Sequence, residues 1–416
     1  MAEAEATIDH LFRHQAGQMV ATLTRIFGPR HVDLAEEVVQ DSLVKALETW
    51  PFRGVPENPG GWLMQVAKNR ALDAVRREAS LLAKMPEIER GFDQISEPDA
   101  GSRNCFADDQ LSMMFLCCHP ALTRETRIAL TLKTVSGFSV TEIARAFLTQ
   151  DSTIAQRIVR AKRQISEQSL SFEMPEEAGL QDRVDSVLDV LYLMFNEGYS
   201  AHSGEDLVRT DLCDEAIRLC RMVAGSALSG TPKTHALLAL MLLQHARWPA
   251  RSSEAGDLLQ LHEQDRTLWN RQMIEQGLLH LDQSAAGLDL TEYHLQAGIA
   301  AAHSTAPTYE ETDWPQIAQF YDQLFAIHPT PVVALNRAVA RSRHLGPRAG
   351  IQELAAIENH SALSRYHLLH AVLGELWREA GDAEKAAGYY RAALECNCTE
   401  PERRFLADRL KSVEPS

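Results

Sequence analysis

Residues 155–164, AQRIVRAKRQ, carry Arg157, Arg160, Lys162 and Arg163 and no acid, in a chain of 416 residues whose formal charge is −16. Cations this dense neutralise phosphates, while Gln and Arg side chains make paired hydrogen bonds to base edges. The apolar residues Ile154, Ile158, Ala161 and Ile165 recur at helical spacing and point inward. Thr153, Gln156, Arg157, Arg160 and Arg163 then share the opposite face, one suited to a DNA major groove. Upstream, Ile143, Ala144 and Phe147 give a shorter helix an apolar side, LTQ makes a turn, and Asp151 or Ser152 is placed to cap the second helix. A merely solvated helix would share this periodicity, but not four bases without an acid.

A second group lies in GWLMQVAKNRALDAVRRE. Trp62 offers a stacking surface beside the Gly- and Pro-dense loop 52–61, although a core tryptophan would read the same way. Lys68, Arg70, Arg76 and Arg77 have the charge to follow a nucleic-acid backbone, and Asn69 can bond a base edge or a phosphate. For Asp73 a salt bridge that orients a neighbouring Arg is the simpler role. Before them, VDLAEEVVQDSLVKALETW sets Leu34, Val38, Leu43, Val44 and Leu47 on one side, with Glu36, Glu37, Gln40 and Asp41 opposite, and is expected to stop at Pro51. By itself that acidic strip reads as solvated surface.

Nearly every segment that positions these residues has helical periodicity and none sustains strand alternation, so the fold class is all-α. Residues 1–80 form one helical bundle. Residues 81–108, broken by Pro86, Gly91, Pro98 and Gly101, read as a flexible linker. Residues 109–171 hold the helix-turn-helix, SFEMPEEAGL is a second linker, and residues 180–416 are helix after helix. Near the end, Leu373, Gly374, Trp377, Ala386, Tyr390 and Ala393 keep the tetratricopeptide spacing. Two fainter copies precede them, LQAGIAAAH with WPQIAQFYDQLFAIHP, and VVALNRAVARSRHLGPRAGIQELAAI.

Charge divides along the same line. Residues 1–170 are almost balanced at net −2, with +3 over 109–170, whereas residues 171–416 carry −14. The acidic C-terminal part is therefore not expected to be a second DNA-binding surface. No run of about 18 apolar residues suggests a membrane span, and the acidic N-terminus MAEAEATIDH lacks a signal peptide's apolar core, so a cytoplasmic protein with no membrane partner is expected. Seven cysteines without framework spacing fit a reducing compartment.

Some sites mislead. Cys117-Cys118-His119 invites a zinc reading, but adjacent cysteines on one helix diverge by about 100°, so core thiols before a His-Pro helix stop are expected, with no metal or other cofactor. Ser/His/Asp order, phosphate-binding glycines and HExxH spacing are all missing, so no enzyme is indicated. Asn196-Glu197-Gly198 and Gln264-Asp265-Arg266 are polar clusters for which structural roles are the simpler reading; Glu197 beside Tyr192 and Tyr199 could otherwise line a pocket.

Taken together, the first 170 residues resemble the extracytoplasmic-function sigma factors, bacterial initiation factors that keep only regions 2 and 4. VTEIARAFLTQDSTIAQRIVRAKRQI resembles region 4.2, DLAEEVVQDSLVKALETW regions 2.1 to 2.2, and GWLMQVAKNRALDAVRRE regions 2.3 to 2.4. LMFNEGYSA, EAIRLCR, ALMLLQHARWPAR, QDRTLWN and PVVALNRAVA extend the resemblance to the subgroup with a long tetratricopeptide-like C-terminal domain. The resemblance implies a non-catalytic factor that associates with RNA polymerase core through the β′ coiled coil and the β flap. Ser152, Thr153, Gln156, Arg157, Arg160, Lys162 and Arg163 would then contact the −35 promoter element. Trp62, Lys68, Asn69, Arg70, Asp73, Arg76 and Arg77 would serve the −10 element, with loop 52–61 accepting a flipped-out base. Glu36, Glu37, Gln40 and Asp41 would meet the basic coiled coil of the polymerase. It also implies that the C-terminal domain sets activity by touching regions 2 and 4 or polymerase. A stand-alone helix-turn-helix regulator with a ligand- or peptide-sensing helical domain is the alternative, and a tetratricopeptide scaffold a further one.

Overall fold

The computed structural model describes residues 2–77, 85–96, 102–147, 149–168, 170, 172, 177–200, 206–251, 253, 259–358, 360, 363, 366–396, 398 and 400–414. Among them every regular element is helical, as the periodicity predicts. The chain divides into two compact units, Met1–Gly198 and Tyr199–Ser416.

In the first unit α1 (Ala2–Phe27) packs on α2 (Val32–Arg53), and α2 on α3 (Pro59–Arg77). Gly28 turns the chain between the first two at φ 88°, a backbone conformation that costs a glycine little. The buried side of α2 is Val32, Ala35, Val38, Val39, Leu43, Ala46 and Trp50. Val44 and Leu47, expected inward, are instead 53% and 47% exposed. The core stripe runs through small alanines that a search for large residues passes over. Pro51 does not stop α2 either. It sits in the last turn, where the missing N–H costs one bond, and the helix closes when Gly54, at φ 83°, donates its N–H to the Trp50 carbonyl at 2.9 Å. Asn58 starts α3 by accepting from the Gly61 N–H at 3.0 Å.

Part of the stretch expected to be a linker is folded. Met85–Ser96 forms α4, whose buried Ile88 and Phe92 pack beneath α1, with Phe92 edge-on to Phe27 at 6.2 Å. Pro86 sits in its first turn, where proline starts rather than breaks a helix. Residues 97–101 lie outside the described residues. Helix α5 (Ser102–Cys117) already begins ahead of residue 109, and is followed by α6 (Arg124–Thr134), α7 (Val140–Ala146) and α8 (Asp151–Glu167). The sequence SFEMPEEAGL likewise becomes helix from Glu177, and α9 (Glu177–Ser200) belongs largely to the first unit instead of opening the second. Arg183 donates to the Phe115 carbonyl at 2.6 Å, Ser186 to the Cys118 carbonyl, and Arg127 to Ser186 Oγ at 2.7 Å.

The second unit runs α10 (Asp206–Gly225), α11 (Pro232–His245), α12 (Arg271–Ser284), α13 (Glu292–Thr305), α14 (Trp314–Ile327), α15 (Pro331–Leu345), α16 (Pro347–Leu354), α17 (His367–Glu379), α18 (Ala383–Glu395) and α19 (Glu400–Val413). From α11 to α19 each helix packs on its neighbour, the stacking that repeat pairs use to bury what one pair cannot. Many starts are capped by the residue type the sequence offers: Thr231, Asn270, Asp313, Thr330 and Asp382 each accept a backbone N–H three residues on. The tetratricopeptide spacing is realised in α17 and α18, where Gly374 admits the Tyr390 ring. A Cβ at Gly374 would stand 2.8 Å from that ring, whose hydroxyl donates to Glu375 at 2.7 Å. Both fainter copies also form helix pairs, α13 with α14 and α15 with α16.

Gly374→Ala is expected to lower stability by about 1–3 kcal/mol, because a buried ring bonded at its hydroxyl cannot give way cheaply. Thermal denaturation of the full chain checks this; an unchanged midpoint would mean that α17 and α18 are not this closely packed.

Candidate nucleic-acid interface

Helix α8 is positioned by α7 and α6. Ser139 and Glu142 bond reciprocally, Ser139 N–H to Glu142 Oε2 at 2.7 Å and Glu142 N–H to Ser139 Oγ at 3.1 Å, a capping box that fixes the start of α7. Asp151 does not cap α8 as expected. Gln150 occupies the N-cap position without a side-chain bond, while Asp151 accepts from the Thr141 hydroxyl at 2.6 Å and ties the two helices together. Ile154, Ile158, Ala161 and Ile165 are buried, as the spacing requires. Ser152, Gln156, Arg160 and Arg163 are exposed, and Thr153 and Arg157 are half-buried beside them. Arg163 is paired with Glu167 at 2.6 Å, an exposed bond that a phosphate would easily replace.

Lys162 departs from this face. Its ammonium reaches α2, 2.6 Å from Asp33 and 2.8 Å from Glu36, and only 13% of the side chain remains exposed. Glu36 also accepts from the Thr134 hydroxyl at 3.1 Å. Burial works against the Lys162 charge, but Glu36 and Asp33 outweigh it and hold its pKa above the usual value. One residue past the inward Ala161, Lys162 sits at the edge of the helix, where a long side chain chooses its partner by tertiary contact. The same packing brings α5 and α6 onto α1: a Cβ at Gly17 would fall 1.9 Å from the Val135 carbonyl oxygen, Gln110 donates to that oxygen at 3.2 Å, and Arg25 pairs with Asp109 at 2.8 Å.

Of the acidic strip on α2, therefore, Glu37, Gln40 and Asp41 stay exposed while Glu36 is taken by Lys162. Val44 and Leu47 join the exposed residues. The open surface of α2 is thus mixed acidic and apolar.

Beside it, α3 and the end of α2 enclose a recess of about 780 Å³, lined by Trp50, Phe52, Pro56, Trp62, Asn69 and Arg70 among others. Trp62 stands edge-on to the buried Trp50 at 5.4 Å, half in the core and half facing the recess, so both readings of this residue hold. Asp73 also lines the recess and accepts from Arg76 at 3.2 Å, orienting it. Lys68 is not there. Its ammonium leans over the Phe92 ring at 5.5 Å, because one step of 100° from Asn69 carries it to the α4 side. The side chain of Arg77 lies outside the described residues. Phe52, 87% exposed, was not picked out in the sequence. An aromatic residue beside a proline in a loop was its only signal.

The cysteine pair and the Gln264-Asp265-Arg266 cluster make contacts within the fold. Cys117 and Cys118 are buried, and burial first of all raises both thiols, Cys118 to about 11, so that they stay protonated. Cys118 Sγ lies 3.4 Å from the Thr131 hydroxyl, and His119 Nδ1 accepts from the Ala121 N–H in the turn that ends α5. No group of three metal-ligating side chains occurs among the described residues. Arg266 bonds the His303 carbonyl at 2.9 Å, and Asp265 accepts from the Thr267 N–H at 2.8 Å. Tyr199 accepts from Arg247 at 3.0 Å.

A helix-turn-helix with an open basic face, joined in one unit to a helical bundle whose recess offers a tryptophan and amide and guanidinium groups, defines a sigma-type transcription initiation factor. The Sigma-70 region 2 family matches residues 11–80 and the Sigma-70, region 4 family residues 112–165; a family of unknown function matches residues 183–285. A protein of Rhizobium meliloti (strain 1021), itself uncharacterised, is 39% identical over 390 residues, 92% of this chain and 90% of the relative. The ECF RNA polymerase sigma factor SigE of Mycolicibacterium smegmatis is 27% identical over 161 residues, 38% of this chain and 59% of that protein. No solved structure matches. The chain belongs to the extracytoplasmic-function sigma factors, in the form that carries a long helical C-terminal extension. Among the described residues no helix is long and apolar enough to cross a membrane.

Three outcomes follow from this geometry. Lys162→Met and Glu36→Gln, separately and combined, are expected to show a coupling of about 1–3 kcal/mol in denaturant unfolding; additive effects would mean the pair is not formed. The stability Lys162 adds should be complete below its unfolded pKa, about 10.4, and fade as pH rises through the higher folded value, a loss Lys162→Met would not show. Elemental analysis is expected to find no stoichiometric zinc, and one metal per chain lost in Cys118→Ser would overturn the assignment of core thiols.

Proposed function

We propose that this sigma factor brings RNA polymerase core to promoters by docking the exposed strip of α2 on the polymerase β′ coiled coil, with region 4 meeting the β flap. Glu37, Gln40 and Asp41 supply the acid that a basic coiled coil attracts, and Val44 and Leu47 the apolar contact between them. Ser152, Thr153, Gln156, Arg157, Arg160 and Arg163 read the −35 element, Gln and Arg at base edges and the remainder at phosphates. At the −10 element Trp62 stacks on an unpaired base, Asn69 and Arg70 bond it and its backbone, and the recess bounded by Phe52 and Pro56 receives it. That recess carries the reading, since the half-buried Trp62 and the exposed Phe52 line it together with Asn69 and Arg70. The chemistry is recognition and strand capture; no step is catalytic.

Promoter elements centred at −35 and −10 are roughly 25 base pairs, about 85 Å, apart along the duplex. Regions 2 and 4 clasped through Lys162 cannot reach both. The clasped arrangement is the resting form, and polymerase and promoter draw the regions apart. When they part, Lys162 joins the −35 face and Glu36 the docking strip. The C-terminal domain sets how readily this happens.

In vitro transcription with core polymerase on the promoter of its own gene tests the reading. Arg157→Ala and Arg160→Ala should each lose about 1–3 kcal/mol of promoter affinity where they read a base, with polymerase binding retained. Two variants that transcribe normally from a −35-dependent promoter would refute the recognition-helix assignment. A truncation that isolates the C-terminal contribution must fall after Gly198, since a stop near Ser171 also removes α9 and its bonds to Phe115 and Cys118. Loss of transcription in that truncation is the expected result. A folded, polymerase-binding truncation that transcribes at the full-length rate would end the proposed control.

A further inference from the structure

Helices α14, α15, α17 and α19 of the second unit surround a cavity of about 400 Å³. Tetratricopeptide helices ordinarily leave an open groove for a peptide, but here residues 260–262 also line the space. Glu263 secures that segment, accepting from the Gln260 N–H at 2.8 Å and pairing with Arg409 of α19 at 3.4 Å. What remains is a bounded pocket of the volume small ligands use.

One wall is a run of four rings. His303 meets Trp314 at 5.3 Å, Trp314 meets Tyr309 at 5.4 Å, and Tyr309 meets His262 at 5.6 Å. The opposite wall is aliphatic, with Val339, Ala340, Ala371, Val372 and Leu376. Each charge at the cavity already has a partner. Arg343 pairs with Glu379 at 2.7 Å, Glu375 with Arg378 and with the Tyr390 hydroxyl, and His367 with Glu402 at 3.2 Å. Burial, with Arg247 and Arg266 nearby, holds His303 neutral at a pKa of about 3. Three buried atoms at the cavity make no hydrogen bond, Arg343 Nε, His303 Nδ1 and His367 Nε2, the last of them facing the Glu402 carboxylate at 3.2 Å. Buried polar atoms left this way are costly, and a ligand that satisfies them recovers the loss.

We propose that this cavity is a binding site for an uncharged, flat, largely aromatic small molecule that carries a hydrogen-bond acceptor for Arg343 Nε. The rings supply stacking faces for a planar body. A charged ligand would enter with no counter-ion left to meet it, and burying it would cost more than the contacts return. At about 400 Å³ the cavity is too small for an extended peptide of several residues. The site belongs to the second unit alone, so its test is separate from that of promoter-directed transcription.

Two dyes of one skeleton test it on the full-length chain: neutral N-phenyl-1-naphthylamine, and 1-anilinonaphthalene-8-sulfonate, which adds a single negative charge. The neutral dye is expected to bind saturably at one per chain, and the sulfonate at least about tenfold more weakly. Val339→Trp and Ala371→Phe fill the cavity from two different helices and should abolish binding while melting as the parent does. If either filled variant unfolds early, hydrogen exchange on the parent chain with the neutral dye replaces it, with protection expected in α15 and α17. No saturable binding, a sulfonate that binds as well or better, folded filled variants that bind normally, or protection only elsewhere would each overturn the site.

Discussion

A single ammonium group held between two carboxylates ties the two halves of the first unit together. Lys162 lies between Asp33 and Glu36, and its helix is the one that should read DNA while theirs is the one that should meet polymerase. The contact does not stand alone, because Gly17 against Val135, Gln110 on the same carbonyl and Arg25 with Asp109 close the two regions along α1. The closure leaves most of both recognition surfaces open and takes one residue from each. A half-buried pair of this sort is strong enough to bias two arrangements and weak enough to be exchanged for polymerase and phosphate contacts.

How much of this was legible in the sequence depended on whether a feature was local. The buried stripe of α8 was, because periodicity fixes it and nothing outside the helix competes. The Gly374–Tyr390 packing, unlike the cap expected from Asp151, which is not formed, was legible for the same reason. Lys162 and Glu36 were not: 126 positions separate them, and each was assigned to the face its own helix suggested. Val44 and Leu47 were placed inward because large aliphatic residues outweigh alanines in a pattern search. On α2 it is Ala35 and Ala46 that let the neighbouring helices approach. Residues 85–96 were read as linker because of Pro86 and Gly91, but proline begins α4, and Gly91 lies where a Cβ would come 3.1 Å from Ile26. In each case a breaker residue had a positional role that only the packed partner reveals.

The second unit follows a different logic. Its stacked pairs draw stability from small residues that let rings in, and several of its acids, Glu353, Glu375, Glu379 and Glu402 among them, pair between helices. The cavity among α14, α15, α17 and α19 had no sequence signal, since its rings come from residues 262, 303, 309 and 314, on separate segments.

The central claim is that regions 2 and 4 are clasped in the free protein and separate when it works. The most direct measurement is the distance between spin labels on α3 and α8, taken by pulsed dipolar spectroscopy on the full-length chain. It should be short in the free protein and longer by several tens of ångströms in a transcribing complex with core polymerase and promoter DNA. An equally short distance in a transcribing complex, or a long one in the free chain, would contradict the account.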